Sequence, residues 1–202
     1  MNITIRSETE ADYRETENIT REAFWDLYQP GCDEHLVLHQ LRQSDAFIHE
    51  LDLVACEGDR IIGNIVYTRA MVKDGDQEKE VLCMGPLSVL PEYQHKNVGS
   101  FLLRTTISMA RKMGFPAVVI FGDPEYYHRF GFVNAEKFGI QTSEGKNMDA
   151  FMALDLAGKG LDDVCGKFYE DNAFQATKED LEKFDLKFPP KEKHTKPDQF
   201  RS

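Results

Sequence analysis

Three observations predict an α/β fold, an α+β mixed sheet flanked by helices. The elements read in the order two helices, three strands, a long helix, a strand and a short helix. The strand candidates are β-branched runs bounded by Gly, Pro and Asp, while the helix candidates carry apolar residues at helical spacing. Between the third strand and the long helix, an apolar run halts at Pro91, crosses a short polar loop and resumes as a helix. A strand feeding a helix in this way builds a sheet with helices on both faces.

Residues 3–6 read as the first strand, and residues 10–25 as a helix that Thr9 can cap. Tyr28-Gln29-Pro30-Gly31-Cys32-Asp33 breaks the chain before a second short helix over 34–42. Residues 52–56 and 60–73 form a hairpin around Glu57-Gly58-Asp59, where Gly58 accepts the positive φ of the turn. Asp74-Gly75-Asp76 makes the next turn, and residues 81–89 form the third strand of this set. The long helix covers 101–113, a β-branched strand 117–121, and a short helix starts at Pro124 with Asp123 as its cap and stops at Gly131. Later strands are placed at 138–142 and 151–156, and a short helix at 178–183. The reading divides the chain into a core of residues 1–157 and an appendage of residues 158–202. The appendage is too short to build its own core, so it packs on the main domain or pairs with another subunit.

The strand–loop–helix transition carries the chemistry. Backbone N–H groups at a helix N-terminus have no partner within the helix, and the macrodipole makes that end positive. Together they suit a phosphate. Gly99 lets a ligand approach the backbone, and Asn97 tolerates a left-handed conformation. The loop lacks the three glycines of a dinucleotide fingerprint and the Gly-Lys-Ser/Thr of a Walker loop.

Gln94, Asn97 and Gly99 resemble the acetyl-CoA loop of the GNAT acetyltransferases, Gln/Arg-x-x-Gly-x-Gly/Ala, with Asn97 standing at the first glycine position. Downstream, Tyr127 through Phe132 is similar to the family's Tyr-x-x-x-Gly-Phe. The longer form Gly-Asp-Pro-x-Tyr-Tyr-x-Arg-Phe-Gly-Phe, from Gly122 to Phe132, resembles a bacterial subgroup of N-acetyltransferases. The resemblance implies that the loop of Gln94, His95, Lys96, Asn97, Val98, Gly99 and Ser100 holds the pyrophosphate of acetyl-CoA. It also implies that the preceding strand splays from its neighbour to admit the pantetheine arm, along the backbone of Leu87 and Val89. Gly85-Pro86 supplies a physical reason for that break, since proline removes a ladder donor and glycine permits a bulge. Tyr127 is then the residue that protonates the departing thiolate, and Tyr126 a wall of the CoA channel. No metal is required.

The implied reaction is direct transfer of an acetyl group to a primary amine in a ternary complex, because no cysteine sits in an evident His/Asp setting. An acyl-CoA-binding module without turnover and a transferase of longer acyl chains share the same motifs. No general base is assigned. Glu80, Cys83 and Ser88 lie on the central strand, and Glu22, Asp26, Asp33 and Glu34 lie in the region that shapes the acceptor pocket in relatives. His35 and His39, four apart, read as a solvated helix face without a third metal ligand.

Composition bounds the rest. The chain has 202 residues, 41% of them hydrophobic, and a net charge of −11. An acidic surface disfavours nucleic acid, and no apolar stretch approaches a membrane span. The N-terminal residues lack a signal-peptide pattern. With four scattered cysteines, this points to a cytoplasmic protein with reduced thiols. The acceptor is expected to be a small-molecule or peptide amine, with a homodimer as one use of the appendage.

Overall fold

The computed structural model describes residues 2–162, 165–197 and 199. Among them, nine strands form one sheet: β1 (Ile3–Ser7), β2 (Leu53–Glu57), β3 (Arg60–Asp74), β4 (Gln77–Val89), β5 (Ala117–Phe121), β6 (Val133–Asn134), β7 (Ile140–Thr142), β8 (Phe151–Asp155) and β9 (Gly166–Tyr169). The helices are α1 (Tyr13–Phe24), α2 (Glu34–Leu41), α3 (Val98–Lys112), α4 (Pro124–Tyr127) and α5 (Lys178–Asp185). The order across the sheet is β1-β2-β3-β4-β5-β8-β6, and β9 pairs with both β3 and β7. β4 with β5 and β7 with β9 are parallel; the other pairs are antiparallel. The β4–β5 crossover carries α3, the connection that a parallel pair needs.

Side-chain alternation divides the sheet into two buried faces. Leu82, Met84, Val118 and Ile120 meet Leu102, Leu103, Ile107 and Ala110 of α3. Val81, Cys83, Ala117 and Val119 point the other way, into a second cluster with Ile140, Phe151 and Phe168. Farther along β3, Val66 packs with Phe47 and with Val37, Leu38 and Leu41 of α2. The reading of residues 10–25 as one helix is refined at its start. Thr9 caps a single 3₁₀ turn, with Asp12 closing a capping box onto the Thr9 backbone, before α1 begins at Tyr13.

One irregularity positions the site. Ile65 faces Leu87 and Tyr67 faces Met84, so Gly85 and Pro86 together oppose the single residue Val66. A Cβ on Gly85 would lie 2.7 Å from Val66 Cγ2 and 2.9 Å from Leu41 Cδ1. Glycine is therefore the residue that allows α2 to close over this bulge. On its other edge β4 meets β5 only at Leu82↔Val118 and Cys83↔Val119. Beyond Cys83 the two strands part.

The chain after β8 runs back across the molecule. β9 joins the edge of β3 at Met71–Lys73, and Phe174 packs against both the second cluster and the α2 cluster. Phe184 and Phe188 then cover Leu36. Trp25 Nε1–H donates to the Glu192 carbonyl at 2.9 Å, and Arg14 donates to that of Lys187. Residues 166–197 thus form a strap that reaches α1 and α2.

Candidate active site

The polar loop between β4 and α3 takes the shape its sequence requires. His95 (φ 60°) and Asn97 (φ 65°) are both left-handed, so Asn97 fills a glycine-like position with one of the side chains that tolerate it. The first backbone bond of α3 runs from Phe101 N–H to the Asn97 carbonyl at 3.0 Å. The N–H groups of Val98, Gly99 and Ser100 lie ahead of it at the positive end of a 15-residue helix, which is an anion cradle. Gln94 Nε2–H donates back to the Val89 carbonyl at 3.2 Å, closing the loop onto the strand end. Lys96 stands 5.3 Å over the Tyr93 ring, and the His95 side chain is exposed.

Gly99 is required for a reason the local sequence does not show. A Cβ there would sit 2.8 Å from the Tyr126 hydroxyl. Tyr126 packs against the first core cluster, and Arg129 lies 4.6 Å over its ring while donating to its carbonyl at 3.1 Å. Tyr126 therefore braces the cradle against α4. The cradle, α4 and the gap between β4 and β5 converge, with Leu87 and Val89 half-buried along the gap.

α4 presents Tyr127. Asp123 caps the helix by accepting from the Glu125 N–H at 2.9 Å, and Pro124 holds the first position. A Cβ on Gly122 would collide with the Tyr127 ring, so that glycine makes room for the phenol. Tyr127 meets Tyr126 and Phe132 edge-on, at 5.0 and 5.6 Å between centroids. Burial pushes its hydroxyl far above the ordinary phenol range, and Tyr126, Tyr67, Tyr28 and Asp123 add to the rise. The proton therefore stays on Tyr127 at neutral pH, where the phenol has a proton to donate.

The acidic candidates of the first two helices lie in and around the loop between α1 and α2. Asp26 is left-handed (φ 57°) and buried. Burial opposes its ionisation, but N–H donors from Gly31 and His194 outweigh that and hold its carboxyl below the usual range. The loop thrusts out Leu27 and Tyr28, 49% and 56% exposed. The other acidic candidates are dispersed: Glu22 pairs with Lys191 at 2.7 Å, and Glu80 lies exposed beside Arg69 at 3.7 Å. Ser88 is buried and shares a 2.9 Å hydrogen bond with Thr20.

Two expectations are corrected. His35 and His39 do not form a solvated face. His35 is fully buried, with Nε2 3.0 Å from Asp185 and Nδ1 3.5 Å from Cys32 Sγ, while His39 bonds to Glu17 at 2.8 Å. Cys32 consequently does have a His/Asp setting, completed by a residue 153 positions away along the chain. Its electrostatics do not favour an acyl-enzyme. Burial pushes the thiol well up and the imidazole down to about 4, so neither member of a thiolate–imidazolium pair forms. Among the described residues no group of three or more His, Cys, Asp or Glu is placed to hold a metal, and no helix is long and apolar enough to cross a membrane.

Comparison with known proteins gives matching results by sequence and by structure. A family model described as "Acetyltransferase (GNAT) domain" matches residues 4–135. The chain is 30% identical over 134 residues to the "Uncharacterized N-acetyltransferase YhbS" of Escherichia coli (strain K12), covering 66% of the chain and 78% of that relative. It is 40% identical over 83 residues to "Uncharacterized N-acetyltransferase YjhQ" of the same strain, covering 41% of the chain and 45% of the relative, less than half of its length. A GNAT family acetyltransferase from Brucella melitensis, solved in complex with acetyl-CoA, superimposes with a TM-score of 0.69 at 27% identity, over 86% of this chain and 99% of that one. YhbS from Escherichia coli, solved in complex with CoA, shares the fold with a TM-score of 0.76 at 24% identity, over 86% and 92% of the two chains.

Proposed function

The chain belongs to the GNAT acetyltransferase family, and on that basis we propose that it transfers the acetyl group of acetyl-CoA to a primary amine by direct attack in a ternary complex. The observation that carries this reading is the convergence of the α3 cradle, the β4–β5 gap and the Tyr127 phenol on one cleft. The N–H groups of Val98, Gly99 and Ser100 would take the pyrophosphate, with Gln94, His95, Lys96 and Asn97 shaping the loop around it. The backbone of Leu87 and Val89 would lie along the pantetheine arm, and Tyr126 would wall the channel. Tyr127 would protonate the thiolate as it leaves, since the phenol carries its proton at neutral pH. The acceptor is a small-molecule or peptide amine drawn to the face formed by α1, α2 and their connecting loop. We assign residues 1–157 to the catalytic core and 158–202 to an appendage that completes the acceptor side. The buried free thiols Cys32, Cys56 and Cys83 fit a cytoplasmic setting.

The test has two arms. Calorimetric titration with acetyl-CoA should show binding that Gly99→Glu abolishes, since the new carboxylate crowds Tyr126 and repels the pyrophosphate. Release of free CoA in the presence of a panel of primary amines should then show turnover. Binding without thiol release from any amine would leave a carrier of acyl-CoA, and no binding would defeat the reading altogether.

A further inference from the structure

In a chain with a net charge of −11, arginines find carboxylates readily. Arg6, Arg14, Arg21, Arg42, Arg60 and Arg69 each form an ion pair, at 2.7 to 3.9 Å. Arg104 on α3 and Arg129 in the 3₁₀ turn after α4 are both exposed, yet among the described residues neither forms one. Glu125, one turn before Arg129, makes no ion pair with it, and α3 itself carries no acidic residue. The two arginines are nevertheless brought together. The Arg104 guanidinium lies 5.0 Å over the Phe130 ring, and that of Arg129 lies 5.6 Å over the same ring. Two like charges thus share one phenyl ring without a carboxylate to balance them, an arrangement that an anion would stabilise.

A chain of contacts ties this pair to the cradle at the start of α3. The Tyr126 hydroxyl stands 2.8 Å from the place of a Cβ on Gly99. The Tyr126 ring lies 5.3 Å from Phe130 and 4.6 Å from the Arg129 guanidinium. Arg129 Nε–H donates to the Tyr126 carbonyl at 3.1 Å, which fixes the guanidinium and leaves its Nη groups to donate elsewhere. Arg104 follows Ser100 by about one helical turn, or ~6 Å along the axis. Helix side chains lean toward the N-terminus, so Arg104 is aimed back at the end of α3 where the N–H groups of Val98, Gly99 and Ser100 lie.

We propose that Arg104 and Arg129 form the subsite for the phosphate monoester on the donor's ribose, the 3′-phosphate that distinguishes coenzyme A from its dephosphorylated form. The inference rests on the acetyltransferase reading above. In coenzyme A one ribose carries both the pyrophosphate and this phosphate. A pyrophosphate on the α3 N–H groups therefore leaves the second anion a sugar ring away, and the arginine pair stands one helical turn away. A phosphate monoester bears close to two negative charges at neutral pH, which two guanidinium groups match, and their planar forks donate to its oxygens in pairs. The cradle alone recognises a pyrophosphate that many nucleotides share. The arginine pair adds the contact that selects coenzyme A among them.

The test is calorimetric titration with acetyl-CoA and with 3′-dephospho-acetyl-CoA. The unaltered protein should bind the dephosphorylated donor at least roughly tenfold more weakly. The double variant Arg104→Gln, Arg129→Gln should bind acetyl-CoA as weakly as the unaltered protein binds the dephosphorylated donor. Its affinity for the dephosphorylated donor should stay within about twofold of the original, so that the preference disappears. An unaltered protein that binds both donors within about twofold overturns the inference. So does a double variant that keeps the preference, or one that weakens both donors equally, which would give the arginines to the pyrophosphate instead. If replacing Arg129 disturbs Tyr126 and lowers Tm, Arg104→Gln alone decides, because its side chain is exposed. A preference reduced by about threefold or more then supports the subsite, and an unchanged one overturns it. Failure of the unaltered protein to bind either donor is a separate result, which defeats the acetyltransferase reading and this inference with it.

Discussion

Replacing Asp185 by Asn should uncouple the strap from the helices it covers. Asp185 accepts from Arg21 Nε at 3.0 Å, sits 3.0 Å from His35 Nε2 and lies 3.6 Å from Lys193 Nζ. The side chains of Arg21 and His35 are 4% and 0% exposed, and Asp185 itself 16%, so water cannot replace the lost carboxylate. Removing one partner of a buried ion pair costs about 3–5 kcal/mol, because the other charge stays buried without compensation. For a chain of this size each kcal/mol moves Tm by roughly 2–4 °C, so Asp185→Asn should lower Tm by ~10 °C in a circular-dichroism melt at pH 7. The same reasoning requires the double variant Arg21→Met, Asp185→Leu to recover much of that loss, because it removes both charges and leaves an apolar side chain to stack on Trp25, which the Arg21 guanidinium now covers at 4.2 Å. A drop of less than about 2 °C for the single variant, or a double variant less stable than it, would refute the idea that a buried charge pair holds the strap.

Other outcomes follow from the same geometry. Tyr127→Phe should bind acetyl-CoA as before but lose roughly 10²–10⁴ in kcat, which thiol-release kinetics would read. Gly99→Ala places a methyl against the Tyr126 hydroxyl and should weaken acetyl-CoA binding by about tenfold, with the double variant Gly99→Ala, Tyr126→Phe partly restoring it by calorimetry. Asp52 is buried beside Glu8, and burial with that neighbour pushes its carboxyl up to about 9. The folded state then holds a proton that the unfolded chain has shed, so stability should fall as pH rises from ~4 to ~9, and urea titrations of Asp52→Asn should show a flatter profile across that window. His35 has the opposite sign. Its imidazole is pushed down to about 4 by burial, so the unfolded chain binds a proton first and stability should fall as pH drops from ~6.5 toward 4, a slope that His35→Gln removes.

The donor half of the proposed site is legible in the sequence because it is local. Asn97 before α3, Asp123-Pro124 before α4 and Gly131 after it each announce their geometry within a few residues. The Gly85-Pro86 break is equally readable, although the α2 side chain that demands glycine there is not. The proposed acceptor side depends on contacts between distant parts of the chain. Nothing near His35 or Cys32 reveals Asp185, and nothing near Asp26 reveals His194. Glu34 reads as one surface acid among four, because its burial is imposed by how the α1–α2 loop and its neighbours pack. His35 and His39 read as solvated for the same reason, since their partners are Asp185 from α5 and Glu17 from α1. β9 carries no sequence signal of its own, because four residues that complete an existing sheet edge need little propensity.

The strap also orders the events of synthesis. The residues that build the phosphate cradle, the splayed strand and the tyrosine pair leave the ribosome before the segment that clamps α1 and α2. A nascent chain can therefore shape the loop before α3 and the turn of α4 while the α1–α2 face still lacks Asp185 and His194. The clamp on α1 and α2 is the later part of the chain to be made.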